Sequence, residues 1–130
     1  MSERGQALVE FALVLPLLLV LALGIVFVTE IGIARLALER AAAEGARIGA
    51  LTNDDEEIER VVRAAVAPLD AARVTPRIEP GMHEPPRSVD PRGSLVRVEL
   101  AYAVPVPLSF AGLPAVTVRG VAVRVMEWTP

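Results

Sequence analysis

An acidic side chain at the edge of a long uncharged stretch is the residue whose chemistry most needs an explanation. Glu10 is followed by the run from Phe11 to Thr29, which contains 19 residues and no charge. A carboxylate at membrane depth costs roughly 2.5–3.5 kcal/mol on insertion scales, so an acid retained there is expected to have a partner and a function. The sequence around Glu10 leaves open which group is that partner.

Side chains that commonly perform catalysis are few in this chain. His83 is the single histidine, so neither a histidine-based triad nor a multi-histidine metal site can form within one chain. Ser88 and Asp90 are its neighbours, but Asp90-Pro91-Arg92-Gly93 is typical of a turn. The acids Asp54 to Glu57 lack the spacing and central glycine of a calcium loop. We predict no enzyme activity, no metal, no cofactor and no small-molecule substrate.

Length and composition limit the chain to one small domain and an anchor. It has 130 residues and a formal net charge of -3. All 13 basic residues are arginine, scattered from Arg4 to Arg124 without a dense cluster, which argues against nucleic acid as a partner. There is no cysteine, so the redox compartment stays open and any extracytoplasmic domain must be held by packing alone.

The uncharged run predicts a membrane-spanning helix over residues 6–29. At about 1.5 Å per residue it covers nearly all of the roughly 30 Å hydrocarbon layer. Pro16 removes one backbone donor and is expected to bend or loosen the helix, which neighbouring helices can accommodate. A secretory signal peptide is the alternative, because Ala22-Leu23-Gly24 resembles a cleavage site. Glu10 and the helix-forming sequence beyond Gly24 favour the anchor.

Residues 30–51 predict the same helix emerging into water. Arg35 and Glu39 stand four residues apart, and similar pairs follow at Arg40 with Glu44 and at Glu44 with Arg47. The opposite surface is made of very small residues, and one row of them is Ala41, Gly45 and Gly49. Such rows let another backbone approach closely. The sequence leaves open whether that backbone belongs to the chain's own sheet or to a partner helix.

Residues 52–130 predict a small α+β domain. Asp54 to Ala67 forms a second helix with acids at its start, where they favour the helix N-terminus. The segment from Pro80 to Gly93 is rich in proline and glycine and predicts a loop. Alternating apolar residues predict an antiparallel sheet of about three strands near Val74–Ile78, Leu95–Val104 and Val116–Val125, with a turn at Ser109–Pro114 and Gly120 as a bulge in the last strand.

The segment from Arg4 to Phe11 resembles the processing site of type IV prepilins. Such sites have a short polar leader ending in glycine, then an apolar helix whose fifth residue is glutamate. The resemblance implies that residues 1–5 are a leader, that a cut falls between Gly5 and Gln6, and that Glu10 becomes the fifth mature residue. Phe11 stands where the Flp class of pilins usually has tyrosine, and Gln6 stands where major type IV pilins usually have phenylalanine.

The wider pattern is similar to TadE/TadG-like pseudopilins of Tad (tight adherence) pilus systems. The shared motifs are Glu10-Phe11-Ala12, Leu15-Pro16 and Glu44-Gly45-Ala46-Arg47, and the strand from Ala103 to Leu108 also looks similar. The resemblance covers nearly the whole chain and is strongest over residues 4–50.

This resemblance implies a non-enzymatic minor component of a Tad pilus, processed by a prepilin peptidase. It would be a single-pass protein of the bacterial inner membrane with residues 52–130 outside the cytoplasm. Its partners would be other pilins and pseudopilins and the Tad inner-membrane platform. Orientation rests on the resemblance, because the arginines flanking the span do not decide it.

The same resemblance gives Glu10 a partner. Cleavage would create an amine on Gln6, and the Glu10 carboxylate of an adjacent subunit would pair with it in a low-dielectric setting. That pair would set the axial stagger between subunits. An alternative is a membrane-anchored binding module, in which the sheet or the Pro80–Gly93 loop recognises a ligand and the helix is a plain tether.

Overall fold

The computed structural model describes residues 2–107 and 112–130. Met1 of the predicted leader lies outside them, as do Leu108 of the family-like strand and the first part of the predicted Ser109–Pro114 turn. The described elements are listed in chain order: α1 (Glu3–Thr52), α2 (Asp55–Ala65), a short 3-10 turn (Ala71–Arg73), β1 (Thr75–Glu79), β2 (Leu95–Val104) and β3 (Val116–Val125). The predicted α+β class, with a long helix, a short helix and three antiparallel strands, is confirmed.

α1 is one uninterrupted helix of 50 residues, about 75 Å long. Ser2 caps its start, where the Ser2 Oγ accepts a hydrogen bond from the Gly5 N–H at 3.3 Å. Its end is set by Asn53, whose φ of 52° is left-handed and whose N–H donates to the Gly49 carbonyl. The helix runs through Pro16 although that residue supplies no N–H. The predicted span and its continuation are therefore parts of one continuous helix.

The two halves of α1 have different surroundings. From Ser2 to Glu30 every residue is exposed except Gly5 and Phe27, which are half-buried. This half is long and apolar enough to cross a membrane. Burial begins at Ala34 and recurs through Ala50 on the face that meets the rest of the chain. The first half of the helix thus projects from a packed unit that contains the second half.

The sheet has the order β1-β2-β3 and is antiparallel throughout. Leu100 on the central strand lies opposite Pro76 on β1 and Gly120 on β3. One face of the sheet packs on α1 and α2. The core members are Ala34, Leu38, Ala41, Ala42, Ala46, Ile58, Val62, Val66, Val74, Val96, Val98, Leu100, Val104, Val118 and Met126. They come from both sides of the predicted boundary at residue 52.

Gly120 is not a bulge, so that prediction is wrong. It pairs in regular register with Leu100. A Cβ added at Gly120 would lie 2.5 Å from the carbonyl carbon of Leu38 and 2.6 Å from the backbone nitrogen of Glu39. Glycine is required there because the backbone of α1 approaches the sheet too closely for any side chain.

α2 is shorter than predicted and is capped by an acid. It spans Asp55–Ala65, and Asp54 stands before it as the N-cap. The Asp54 Oδ1 accepts hydrogen bonds from the N–H groups of Glu56 at 2.9 Å and Glu57 at 3.3 Å. The run of acids therefore satisfies helix donors, as the sequence indicated.

The predicted Pro80–Gly93 loop is tied to the α1–α2 junction by Arg87, which is only 1% exposed. Its Nε donates to the Asn53 Oδ1 at 3.0 Å and its Nη1 donates to the Pro80 carbonyl at 2.7 Å. The Asp55 Oδ1 lies 2.7 Å from the same Nη1 and forms an ion pair with it. The geometry of this contact does not meet the criteria for a hydrogen bond. The other Asp55 oxygen accepts from the Met82 N–H at 2.8 Å. These contacts give the loop a fixed position.

Candidate functional site

The predicted cut between Gly5 and Gln6 lies in the first turns of α1. The Gly5 N–H is held by the Ser2 carbonyl at 2.9 Å as well as by the Ser2 side chain. A Cβ at Gly5 would meet only the Ser2 Oγ, at 3.6 Å, which is an ordinary contact distance. Packing within the chain therefore does not require glycine at position 5.

Glu10 lies one helical turn beyond Gln6 and is exposed. Its Oε1 accepts a hydrogen bond from the Gln6 Nε2 at 3.2 Å. Among the described residues no basic group forms a salt bridge with Glu10. The hydrogen-bond partner of this carboxylate within the chain is the neutral side-chain amide of Gln6, which cannot neutralise its charge.

The surface around Glu10 is apolar and uncovered. Phe11 is 63% exposed, and Pro16 is exposed in the middle of the same half of α1. The neighbouring aliphatic side chains are also exposed on all sides of the helix, and they include Leu8, Leu13, Leu17, Leu18, Val20, Leu21, Ile25, Val26 and Val28. A helix that is apolar all round is suited to lipid or to other helices.

The row Ala41, Gly45 and Gly49 lies in the chain's own core. A Cβ at Gly45 would lie 2.7 Å from the Val62 Cγ2, and one at Gly49 would lie 2.5 Å from the Ile58 Cδ1. The small residues thus allow α2 to cross close to α1. Of the two arrangements left open by the sequence, the structure shows packing within one chain, so this row is already covered.

The Glu44-Gly45-Ala46-Arg47 block has a charged side and a buried side. Arg47 Nη2 lies 2.6 Å from Glu44 Oε1, and its Nε donates to the Oε2 at 3.0 Å. This hydrogen bonding holds the pKa of Glu44 below its ordinary value. Arg35 also pairs with Glu39 at 2.9 Å as predicted. The predicted pairing of Arg40 with Glu44 is absent from the salt bridges of the described residues, because Arg47 engages both oxygens of Glu44.

Other candidate chemistry stays dispersed in the structure. His83 is exposed in the Pro80–Gly93 loop. Within residues 2–107 and 112–130 no three histidine, aspartate or glutamate side chains come together as metal ligands. Arg87 is the buried polar residue that sequence reasoning missed, and its partners make it structural.

Comparison with family models gives a match that begins at the predicted cleavage site. The model described as TadE-like protein matches residues 5–47. Over this segment, about a third of the chain, the protein is similar to TadE-like proteins. The match starts at Gly5, ends at Arg47, and contains Glu10, Phe11 and Pro16, so it lies entirely within α1. Comparison with curated proteins gives no significant match, and comparison with solved structures gives none either.

The similarity over residues 5–47 is to a family associated with Tad pili and with the membrane. TadE-like pilus components are generally structural proteins without enzyme activity. The apolar half of α1 is consistent with a single-pass anchor for such a component. α2 and the sheet lie beyond the matched segment, as does the family-like strand from Ala103.

Proposed function

We propose that this protein is a pilin-like minor component of Tad pilus biogenesis, cleaved by a prepilin peptidase between Gly5 and Gln6. The observation that carries the proposal is the uncovered N-terminal half of α1. It is apolar on all sides, it projects from the folded unit, and it places an exposed acid five residues after a glycine that packing does not require. The family match beginning at Gly5 supports this assignment.

Assembly would follow from the charge that cleavage creates. The new amine of Gln6 would be a cation near the membrane edge, and the Glu10 carboxylate forms no salt bridge among residues 2–107 and 112–130 of its own chain. An amine from one subunit beside Glu10 of the next would offset part of the desolvation cost of both groups. Because Gln6 and Glu10 are one turn apart on a continuous helix, this pairing would fix the axial offset between neighbouring subunits.

The proposed topology places residues 1–5 in the cytoplasm and residues 6–29 in the bacterial inner membrane. Residues 30–51 then continue α1 outside the membrane, and residues 52–130 complete the extracytoplasmic domain. The partners in this arrangement are other pilins and pseudopilins, reached through Phe11, Pro16 and the surrounding apolar surface, and the Tad inner-membrane platform.

Processing can be tested by co-expression with a prepilin peptidase from a Tad system and sequencing of the mature N-terminus. We expect the wild-type protein to begin at Gln6 and Gly5→Ala to stay uncut. Gly32→Ala is the matched control, because a Cβ there meets nothing within 4 Å in the same helix, and it should be cut normally. A wild-type protein that retains its leader beside an active peptidase would refute the processing step.

The role of Glu10 can be tested with Glu10→Gln, which keeps the shape of the side chain and removes its charge. We expect normal insertion and cleavage but at least about tenfold less assembled protein, which corresponds to the loss of about 1.4 kcal/mol per contact. Glu30→Gln, an exposed acid farther along α1, is the control and should assemble normally. Assembly is measured by crosslinking and by counting pili.

Normal piliation with Glu10→Gln would contradict the pairing mechanism. Scrambling the order of residues 6–15 separates the pilin-like role from the anchored binding module. A plain tether tolerates that change, whereas a subunit that assembles through its helix does not.

A further inference from the structure

The chain that follows β2, residues 105–107 of the connection to β3, lies beside the apolar half of α1. The sheet runs along the helix, with the Trp128 N–H bonded to the Ala50 carbonyl at one end and Gly120 against Leu38 in the middle. At the other end the chain leaves the Val104–Val116 pair and reaches the membrane half of the helix. There one open cleft is lined by Val20, Leu23, Gly24, Phe27, Val106 and Pro107.

The cleft lies beside residues that belong to the membrane span, not beside residues that follow it. The uncharged run ends at Thr29, and Gly24 is five residues inside it, or about 7.5 Å along the helix. The whole run of 19 residues is needed to cross a hydrocarbon layer of about 30 Å. When this run crosses the membrane, Val106 and Pro107 lie at the depth of its hydrocarbon layer, because they contact the same cleft as Gly24.

The sequence of the connection is suited to that depth. No charged residue occurs from Leu100 to Val118. Leu113 is 49% exposed and Val116 is 39% exposed, with no protein covering either fully. Prolines stand at positions 105, 107 and 114. Because proline has no backbone N–H, each one removes a hydrogen-bond donor that would be left without a partner in lipid. Interfacial elements bury their apolar side by about 5–10 Å, which agrees with the depth estimated from α1.

Residues suited to lipid headgroups lie just above the connection. Arg73 and Tyr102 line a shallow depression with Glu30, which is the first charge after the span. The Arg73 guanidinium carbon is 5.1 Å from the centre of the Tyr102 ring, and its Nη2 donates to the Ala103 carbonyl at 3.0 Å. Tyrosine and arginine are favoured at the membrane–water interface. Apolar residues thus lie beside the span and polar residues lie beside its end, as hydrocarbon is followed by headgroups in a bilayer.

We propose that the described parts of the β2–β3 connection, residues 105–107 and 112–115, form a second membrane contact at the headgroup–acyl boundary. The occupant of the cleft is lipid hydrocarbon, because its walls are continuous with the membrane-embedded surface of α1. A Cβ at Gly24 would meet nothing within 4 Å, so the cleft is open at this point. This inference rests on the proposed membrane anchoring, and it adds that the folded unit is held at a fixed depth against the bilayer.

Single-cysteine spin labelling tests the proposal, since the chain contains no cysteine and each variant carries one thiol. Leu113→Cys is labelled in the full chain, which is then reconstituted into phosphatidylethanolamine–phosphatidylglycerol vesicles. The controls are Leu21→Cys on the exposed surface of the span and Val89→Cys in the distant loop, where the native side chains are 59% and 79% exposed. We expect the ratio of oxygen to nickel-chelate accessibility at position 113 to match position 21 and to exceed position 89 several-fold.

Three other outcomes overturn the proposal in different ways. If position 113 behaves like position 89 while position 21 is lipid-exposed, the connection lies in water and the anchor survives. If positions 113 and 21 both favour the nickel chelate, the membrane anchor proposed above fails as well. If position 113 is protected from both reagents, a second protein surface covers it instead of lipid.

Discussion

At the scale of single residues, Arg87 is the charged side chain most completely removed from water in the described residues. Its truncation in Arg87→Ala would leave the Asp55 carboxylate without its cation and the Pro80 carbonyl without its hydrogen-bond donor. Removing one partner of a buried ion pair costs about 3–5 kcal/mol, and we expect about 3 kcal/mol because the Asp55 side chain is 25% exposed. Urea unfolding of the full chain in detergent micelles measures the change in the free energy of unfolding.

Arg92→Ala is the matched control for Arg87, because it removes an exposed arginine from the same loop. It should change the free energy of unfolding by no more than about 0.5 kcal/mol. Equal effects of the two substitutions would show that the buried contacts do not hold the loop.

The contrast between Glu10 and Arg87 shows which residues a sequence can reveal. Glu10 stands out because its environment is set by its sequence neighbours, an uncharged run and a nearby glycine. The contacts of Arg87 with Asn53 and Asp55 join residues more than 30 positions apart. One arginine in a proline-rich segment gives no indication of such partners, so its role could not be predicted.

At the scale of elements, the approach of α1 to the sheet depends on Gly120. Gly120→Ala places a Cβ within 2.6 Å of backbone atoms at Leu38 and Glu39, which cannot rotate away as a side chain can. We expect the free energy of unfolding to fall by about 3 kcal/mol, the upper part of the usual range for overpacking. Chemical unfolding followed by circular dichroism measures it.

The smaller clash at Gly49 provides an internal comparison for Gly120. A Cβ there meets the flexible end of Ile58, so Gly49→Ala should cost less and should be partly rescued by Ile58→Val, which removes the Cδ1 in question. Gly32→Ala meets nothing and should be neutral or stabilising by up to about 1 kcal/mol. A tolerated Gly120→Ala would mean that the helix and sheet can separate without loss of stability.

The positions of the helices and strands along the chain were predictable, but the surfaces against which they pack were not. Helical and strand periodicities placed α1, α2 and the three strands to within a few residues. Periodicity shows that Ala41, Gly45 and Gly49 share a face without showing what that face contacts. Likewise glycine in a strand indicates either a bulge or a close approach, and only the register with Leu100 distinguishes them at Gly120.

At the scale of the whole molecule, one continuous helix lies in two different environments. Its first half presents apolar side chains outward, and its second half supplies nine buried residues to the folded unit. A force or displacement at the membrane end is therefore transmitted to the sheet without an intervening linker. This continuity was visible in the sequence as an unbroken helical pattern, whereas the depth of the β2–β3 connection depends on tertiary packing.

The shared helix leads to a prediction about where the folding unit begins. A fragment of residues 30–130 keeps every buried member of the core, from Ala34 to Met126. It should be soluble and unfold cooperatively in urea. A fragment of residues 52–130 loses the nine buried residues of α1 and exposes the face of the sheet and α2 that they cover. It should show no cooperative transition and little dispersion in its amide spectrum. Cooperative unfolding of the shorter fragment would contradict this, since it would show that α1 only lies on a core that α2 and the sheet complete without it.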